Sequence, residues 1–384
     1  MKNQLNAIRD RLDHIDRSIL QALADRQDVV KEVSALKIQD DTAIRDFDRE
    51  ERLLTRIRTL AQEMGIDGYY AEQLFREIIL HSVRYQVHSL VDHQNNKQEK
   101  TIRVSYQGTD GSYSHLAIQR HFGERYAEVE HFGYDTFHEA ARAVSEGLTD
   151  FACLPIENTT AGSINDTYDV LANPGIHIVG EEVLKIVHCL LAVEEVEIGQ
   201  IRRILSHPQG IAQCSRFLTK LPRCRVESYI DTALSAKKVR DDADLSQAAI
   251  AGAHAADFYG LKVIKEGIAN QTENYTRFVI VSPEPVQVAD QIPCKTSLMM
   301  VTANKEGALI DCLNVLHQHG INMTKLESRP RLNEPWRYSF YVDIEANIAS
   351  PNIQKALDEL SGEAEDLTIL GCYPKQTQPT GTGS

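Results

Sequence analysis

The sequence predicts a multidomain chain: an all-α helical domain, a two-lobed α/β domain and a small α+β domain. Three observations carry that prediction. Apolar residues recur every three or four positions from Leu5 to about Ile38. Short apolar strand runs then alternate with helical runs as far as Pro283. A last segment reads strand, helix, strand, strand, helix, strand. The boundaries fall at about residues 1–92, 101–283 and 294–376, and the stretch 92–100 is polar and aperiodic, as a linker is.

Composition narrows the function classes. At 384 residues the chain is long enough for two or three cores. A net charge of -14 argues against a general binder of nucleic acid or anionic membranes. Any acidic small molecule must then be held by local basic groups. Seven cysteines, scattered and without a CxxC, fit reduced thiols in a cytoplasm and not a disulfide frame or a zinc site. No apolar run approaches the ~20 residues a membrane span requires. The N-terminus is charged and amphipathic, unlike a secretion signal. A cytoplasmic enzyme or binder without metal is therefore expected.

In the first domain, Leu5, Ile8, Leu12, Ile15, Ile19 and Leu23 mark one helix of ~50 Å. It is too long to fold back inside a small monomer, so a dimer is expected in which two such helices pack across each other. Asp46 caps a second helix that runs to about Met64 and stops at Gly65, and a third spans about Tyr69 to Leu90. Arg26 and Lys37, eleven residues apart, share a face within ~20°. Arg9 lies ~25 Å along the axis from Arg26, too far to reach the same small ligand. Asp46, Arg49 and Glu50 are neighbours at i, i+3 and i+4. Ser82 and Gln86 continue the apolar row of Phe75 and Ile79 inward, and polar groups on a buried face need partners.

Alone, each of these residues reads as a solvated helix face. Together, Arg9, Arg26, Lys37, Asp46, Arg49, Glu50, Ser82 and Gln86 resemble the site of the all-helical chorismate mutase domain. The resemblance implies that Arg26 and the partner subunit's Arg9 grip the carboxylates of chorismate. Lys37 and Gln86 would address the breaking ether oxygen, and Glu50 the ring hydroxyl. Such a rearrangement has no covalent intermediate. It needs a held conformer and stabilised charge on one oxygen.

In the middle domain three polar loops stand at strand ends. Gly108 to Ser114 leads into a helix, and its glycines allow backbone amides to approach an anion. It is not a G-x-G-x-x-G turn, so no nicotinamide cofactor is expected. Glu157-Asn158-Thr159-Thr160 ends a second strand. Ser206-His207-Pro208-Gln209 ends a third and opens a helix on which Gln213 lies one face above Ser206. Thr276-Arg277 then opens the strand Phe278 to Val281. The bland reading of each loop is turn and cap chemistry. In combination they resemble prephenate dehydratase, a two-lobed, periplasmic-binding-protein-like fold. The resemblance implies that Thr276 lies closest to the leaving hydroxyl. It also implies that Asn158, Ser206 and Gln213 line the site and that Arg277 anchors a carboxylate. Glu157 and His207 are candidate proton sources.

The C-terminal order βαββαβ is the ferredoxin-like plan. Gly307-Ala308-Leu309-Ile310 opens its first helix and Glu327-Ser328-Arg329-Pro330 ends its second strand. Both resemble the amino-acid-binding motifs of ACT regulatory domains, with Ile310 in place of the usual valine. The implied ligand is L-phenylalanine, held between paired domains by backbone groups. The rest of the chain, from Lys375, is polar and expected to be disordered.

As a whole the chain resembles the bifunctional chorismate mutase/prephenate dehydratases. The substrates would be chorismate and prephenate, and the assembly a homodimer or larger. A mutase fused to prephenate dehydrogenase would need a nicotinamide fingerprint. A ligand-sensing two-lobed binding protein with a relic mutase segment would not need the intact set of mutase residues.

Overall fold

The computed structural model describes residues 2–40, 45–95, 101–331 and 334–376. Most of the linker and the polar tail beyond 376 lie outside the described residues. The chain forms two compact units, Met1–Gln98 with Ala289–Ile292, and Glu99–Val288 with Pro293–Gln376.

The first unit consists of helices α1 (Lys2–Asp40), α2 (Phe47–Glu63) and α3 (Gly68–Gln94). Asp46 caps α2 by accepting from the Arg49 amide at 2.9 Å, and Asp67 caps α3 by accepting from Tyr70 at 2.7 Å. Leu54, Ala61, Ile79, Leu90 and Val91 are buried between the helices. The stripe of α1 is not. Leu5, Ile8, Leu12, Ile15 and Ile19 remain 50–53% exposed, so most of the apolar face of this helix has no cover within one chain.

The second unit opens with β1 (Thr101–Gln107), α4 (Tyr113–Phe122), β2 (Glu128–Tyr134), α5 (Phe137–Ser145), β3 (Phe151–Asn158), β4 (Gly162–Ser163), α6 (Asn165–Leu171) and β5 (His177–Lys185). The chain crosses to a second lobe built from β6 (Cys189–Ala192), β7 (Arg203–Ser206), α7 (Pro208–Gln213), α8 (Ser215–Leu218), β8 (Arg225–Ser228), α9 (Thr232–Asp242), β9 (Gln247–Ala251), α10 (Ala253–Tyr259) and β10 (Lys262–Lys265). It returns as β11 (Tyr275–Ser282). The first lobe's sheet has the order β2-β1-β3-β11-β5, with β4 against β3; the second lobe's sheet is β10-β6-β9-β7-β8. Two strands thus join the lobes, β5 leaving the first sheet and β11 re-entering it beside β5. The helix expected to carry Gln213 is short and interrupted at Cys214, which separates α7 from α8.

The C-terminal sheet follows as β12 (Cys294–Val301), α11 (Ala308–Gln318), β13 (Met323–Pro330), β14 (Tyr338–Ile344), α12 (Pro351–Glu363) and β15 (Asp366–Pro374). Its order, β13-β14-β12-β15, is that of the ferredoxin-like plan. Residues 327–330 lie within β13 and not in a turn after it, because the ladder with β14 continues to Pro330. Tyr341, Leu370 and Tyr373 share one core with Leu154, Val279 and Val281, which welds this sheet to the first lobe. A Cβ at Gly371 would come 2.0 Å from the carbonyl oxygen of Ile178, so only glycine admits that approach of β15 to β5.

Candidate active sites

In the helical unit, Arg26 donates to Ser82 Oγ, and Ser82 Oγ donates to the Ile78 carbonyl at 2.8 Å. Gln86 donates from Nε2 to the Ser82 carbonyl at 3.2 Å, while its buried Oε1 has no hydrogen-bond partner. A buried amide with one end free is poised for a ligand. Burial lowers the pKa of Lys37 and Arg49 lowers it further, with Asp46 and Glu50 acting in the opposite sense. That interplay puts Lys37, Asp46, Arg49 and Glu50 in one electrostatic neighbourhood. Glu50 is gripped by Arg45 through Nε and Nη2, each at 3.0 Å. Arg45 escaped the sequence reading because it precedes the cap and so has no helical spacing to Glu50. Arg9 stands exposed on α1. Arg26, Ser82 and Gln86 thus form one hydrogen-bonded group, Lys37, Asp46, Arg49 and Glu50 one electrostatic group, and Arg9 stands apart from Arg26 along α1.

The second site lies where the lobes meet. Thr276 on β11 pairs with Asn158 at the end of β3. Asn158 is the hub: its Nδ2 donates to Thr276 Oγ1 at 2.9 Å and to Asn274 Oδ1 at 2.8 Å, and its Oδ1 accepts from the Thr160 hydroxyl at 2.7 Å. Gln213, at the end of α7 in the other lobe, donates to Thr160 Oγ1 at 2.6 Å. Its Oε1 receives Asn274 Nδ2 at 3.3 Å and meets His188 Nε2 at 2.7 Å. A cleft of about 360 Å³ opens beside this network, lined by Thr160, Ala161, Gln209, Ala212, Gln213, Ala269, Asn270, Gln271 and Asn274. None of the residues that line it is charged.

Four predicted residues are placed elsewhere. Arg277 follows Thr276 on a strand, so its side chain points to the opposite face. There it donates to Glu181 at 2.8 Å, Asp343 at 2.5 Å and the Tyr373 hydroxyl at 2.8 Å. Burial alone would weaken its charge, but Tyr373, Asp343 and Glu181 more than offset that and hold it well above its ordinary pKa. It belongs to the seam with the C-terminal sheet, not to the cleft. Glu157 shares that face and pairs with Lys325 at 2.9 Å. Ser206 is fully buried and donates to the Ile250 carbonyl at 2.8 Å, closing β7 onto β9. His207 caps α7 by accepting from Gln209 at 3.2 Å. In the Gly108 to Ser114 loop, the amides of Gly111 and Ser112 are already taken by His115 Nδ1 and the Thr109 carbonyl. Its Thr109 hydroxyl instead reaches across to Asp231 of the second lobe at 3.2 Å.

Family models agree with this division of labour. A chorismate mutase type II model matches residues 8–87 and a prephenate dehydratase model matches 104–286. The chain is 38% identical over 375 residues to the bifunctional chorismate mutase/prephenate dehydratase of Escherichia coli strain K12, covering 98% of this chain and 97% of that one. This chain belongs to the bifunctional chorismate mutase/prephenate dehydratase family. Among solved structures, a prephenate dehydratase from Arthrobacter aurescens in complex with L-Phe aligns at a TM-score of 0.64 and 27% identity. That alignment covers 72% of this chain and 90% of the other. A chain described as a novel type of quorum quenching acylase aligns at a TM-score of 0.64 and 33% identity, over 71% of this chain and 97% of the other.

For a member of this family, the sequence reading missed three residues of the cleft network: Thr160, Asn274 and His188. The first two flank residues that were singled out, Asn158 and Thr276, two positions away on the same strand face or turn. His188 had no such signal. It stands in the crossover between β5 and β6, and neither strand was foreseen.

Proposed function

We propose that the helical unit rearranges chorismate to prephenate and that the two-lobed cleft converts prephenate to phenylpyruvate. In the first reaction Arg26 binds a carboxylate, Lys37 and Gln86 stabilise charge on the ether oxygen, and Glu50, braced by Arg45, takes the ring hydroxyl. The uncovered stripe of α1 supports a dimer in which Arg9 completes the partner's site. In the second reaction the electrons of the ring–carboxylate bond pass into the ring and expel the hydroxyl, and carbon dioxide leaves. Hydroxide is a poor leaving group, so a donor must meet it.

One observation carries this reading. Thr276 Oγ1 accepts from Asn158 Nδ2 at 2.9 Å, which leaves the threonine's own proton for an incoming oxygen. The uncharged lining supports it, because a cationic wall would stabilise the carboxylate that has to depart. Amides suffice to hold the pyruvyl carboxylate. Gln213 is the positioned amide, with one Nε2 hydrogen beyond the one it gives to Thr160, while both Nδ2 hydrogens of Asn158 are spent on Asn274 and Thr276. Ser206 acts through the fold, and Arg277 through the seam.

The C-terminal sheet is read as an ACT domain that binds L-phenylalanine and inhibits the cleft. Gly307 begins α11 at φ 79°, a conformation that favours glycine. β13 is an edge strand, and its Met323 and Leu326 are exposed, which supports pairing with a second copy. The side chains of Glu327 and Arg329 reach Ser163 at 2.5 Å and Asp169 at 3.0 Å in the first lobe. Ligand uptake at Gly307 to Leu309 and Glu327 to Pro330 therefore has a direct mechanical route to the dehydratase. No described helix is long and apolar enough to cross a membrane.

Purified protein given chorismate should form prephenate and then phenylpyruvate without added nicotinamide or metal, and L-phenylalanine should slow the second step. Failure to consume prephenate under those conditions contradicts the proposal.

A further inference from the structure

We propose that His188 is a positioning residue for the dehydratase reaction, setting the direction of a hydrogen-bond chain that ends on Thr276. The inference rests on the dehydratase reading of the cleft and deepens it.

His188 is 3% exposed and sits in the β5–β6 crossover between the lobes. Its Nε2 lies 2.7 Å from Gln213 Oε1, and its Nδ1 is buried without a partner. A carbonyl oxygen only accepts, so the proton of the neutral ring must be on Nε2. The alternative tautomer would face two acceptors and leave an orphan buried N–H, the costlier kind of orphan. Burial also pushes the imidazolium's pKa down, which keeps the ring neutral with a single proton to place.

His188 shares Gln213 Oε1 with Asn274 Nδ2 at 3.3 Å, and of the two it makes the shorter contact, at 2.7 Å. His188 donates to Gln213 Oε1, which turns the amide so that Gln213 Nε2 donates to Thr160 Oγ1 at 2.6 Å. The Thr160 hydroxyl, having accepted, donates to Asn158 Oδ1 at 2.7 Å. Asn158, whose Oδ1 also accepts from the amides of Thr160 at 3.0 Å and Ala161 at 2.9 Å, holds Nδ2 toward Thr276 Oγ1 at 2.9 Å. Each link runs the same way, and each polarises the next. Thr276 stands last. Its oxygen already accepts one donor, and its own hydroxyl proton remains to be offered to the substrate.

Remove the first donor and the chain can reverse. Gln213 can then rotate its amide and present Oε1 to Thr160, whose proton turns away from Asn158. Asn158 keeps its place through the amides of Thr160 and Ala161 but loses the polarising hydroxyl at Oδ1, and Thr276 becomes a weaker donor at the leaving oxygen. The loss falls on the transition state, where the hydroxide develops charge, so it should appear in kcat and not in KM.

The test is steady-state kinetics with prephenate on the full-length protein. Wild-type turnover of prephenate establishes the dehydratase reading first; without it the variants are not interpreted as tests of His188. His188→Leu should lower kcat by about tenfold to a hundredfold while KM changes less than about threefold, the size of one lost donor to a developing charge. His188→Gln carries an amide N–H near the same position and should recover kcat to within about threefold of wild type. In a Gln213→Leu background, His188→Leu should cost nothing more, because the link it acts through is already gone. Three results would overturn the proposal: wild-type kcat in His188→Leu, a His188→Gln as slow as His188→Leu, or a further drop in the double variant. The last also exposes a variant that merely folds badly.

Discussion

Thr276 and Arg277 are adjacent, yet they serve different parts of the molecule. The strand's alternation sends Thr276 toward Asn158 and Arg277 toward Glu181, Asp343 and Tyr373. Thr276→Ala should lower dehydratase kcat by about a hundredfold to a thousandfold, as loss of one donor at a developing oxyanion does. Thr276→Ser keeps the hydroxyl and should stay within about tenfold of wild type. Arg277→Ala should act on stability instead. It leaves Asp343 without its cation in a buried seam and Glu181 with Lys295 alone, at about 3–5 kcal/mol, and the fall should be read in the melting of the second unit, with mutase activity retained. Substrate binding that weakens with no change in melting would return Arg277 to the cleft. The sequence drew attention to both residues because they precede the same apolar run. The period of two that separates them was equally visible, but it applies only once the strand is known to begin at Tyr275. Ser206 has a similar history: its place at a strand end was legible, whereas its donation inward to Ile250 depends on β9 lying alongside.

At the scale of elements, what could be read followed from local pattern. The three helices of the first unit, with the caps at Asp46 and Asp67, obey a period of 3.6 with polar breaks. β5 hid because its core positions include Glu181 and Glu182, 2% and 0% exposed. Carboxylates read as surface until Arg277 and Lys295 are known to meet Glu181, and Gln376 to meet Glu182. With β5 hidden, the crossover that carries His188 was hidden too. The element with the sharpest prediction is α1. Arg9 and Arg26 are proposed to serve different sites, Arg26 its own and Arg9 the partner's. Arg9→Ala and Arg26→Ala should each be nearly inactive as mutases. Mixed and re-equilibrated, they should regain about a quarter of wild-type activity, because half the dimers are hybrids and each hybrid has one intact site. No recovery on mixing, with exchange of subunits demonstrated, would place both arginines in one site.

At the scale of the whole molecule, the two units should respond differently to acid. The second unit carries three histidines whose basicity is depressed first of all by burial: His115, His188 and His254, the last pulled down to about 4. A histidine that must stay neutral in the fold is protonated more readily when unfolded. Between pH 6.5 and about 4 the unfolded state therefore binds the extra protons, and stability falls as pH falls. His254 alone accounts for about 2–3 kcal/mol once pH 4 is reached. His319 works the other way, because Glu359 raises its pKa and its contribution is lost only as pH rises; the pair lies at the surface and is a weak counterweight. In the helical unit Glu72 is held below its usual pKa by Arg58 and Arg76, so its contribution persists until pH drops under the carboxylate range. Lowering pH from 7 to 4.5 should thus bring down the denaturant midpoint of the dehydratase before that of the mutase, each followed by its residual activity after return to neutral pH. His254→Asn should flatten the dehydratase curve and leave the mutase curve in place. Equal shifts in both midpoints would mean that buried imidazoles do not govern the acid response.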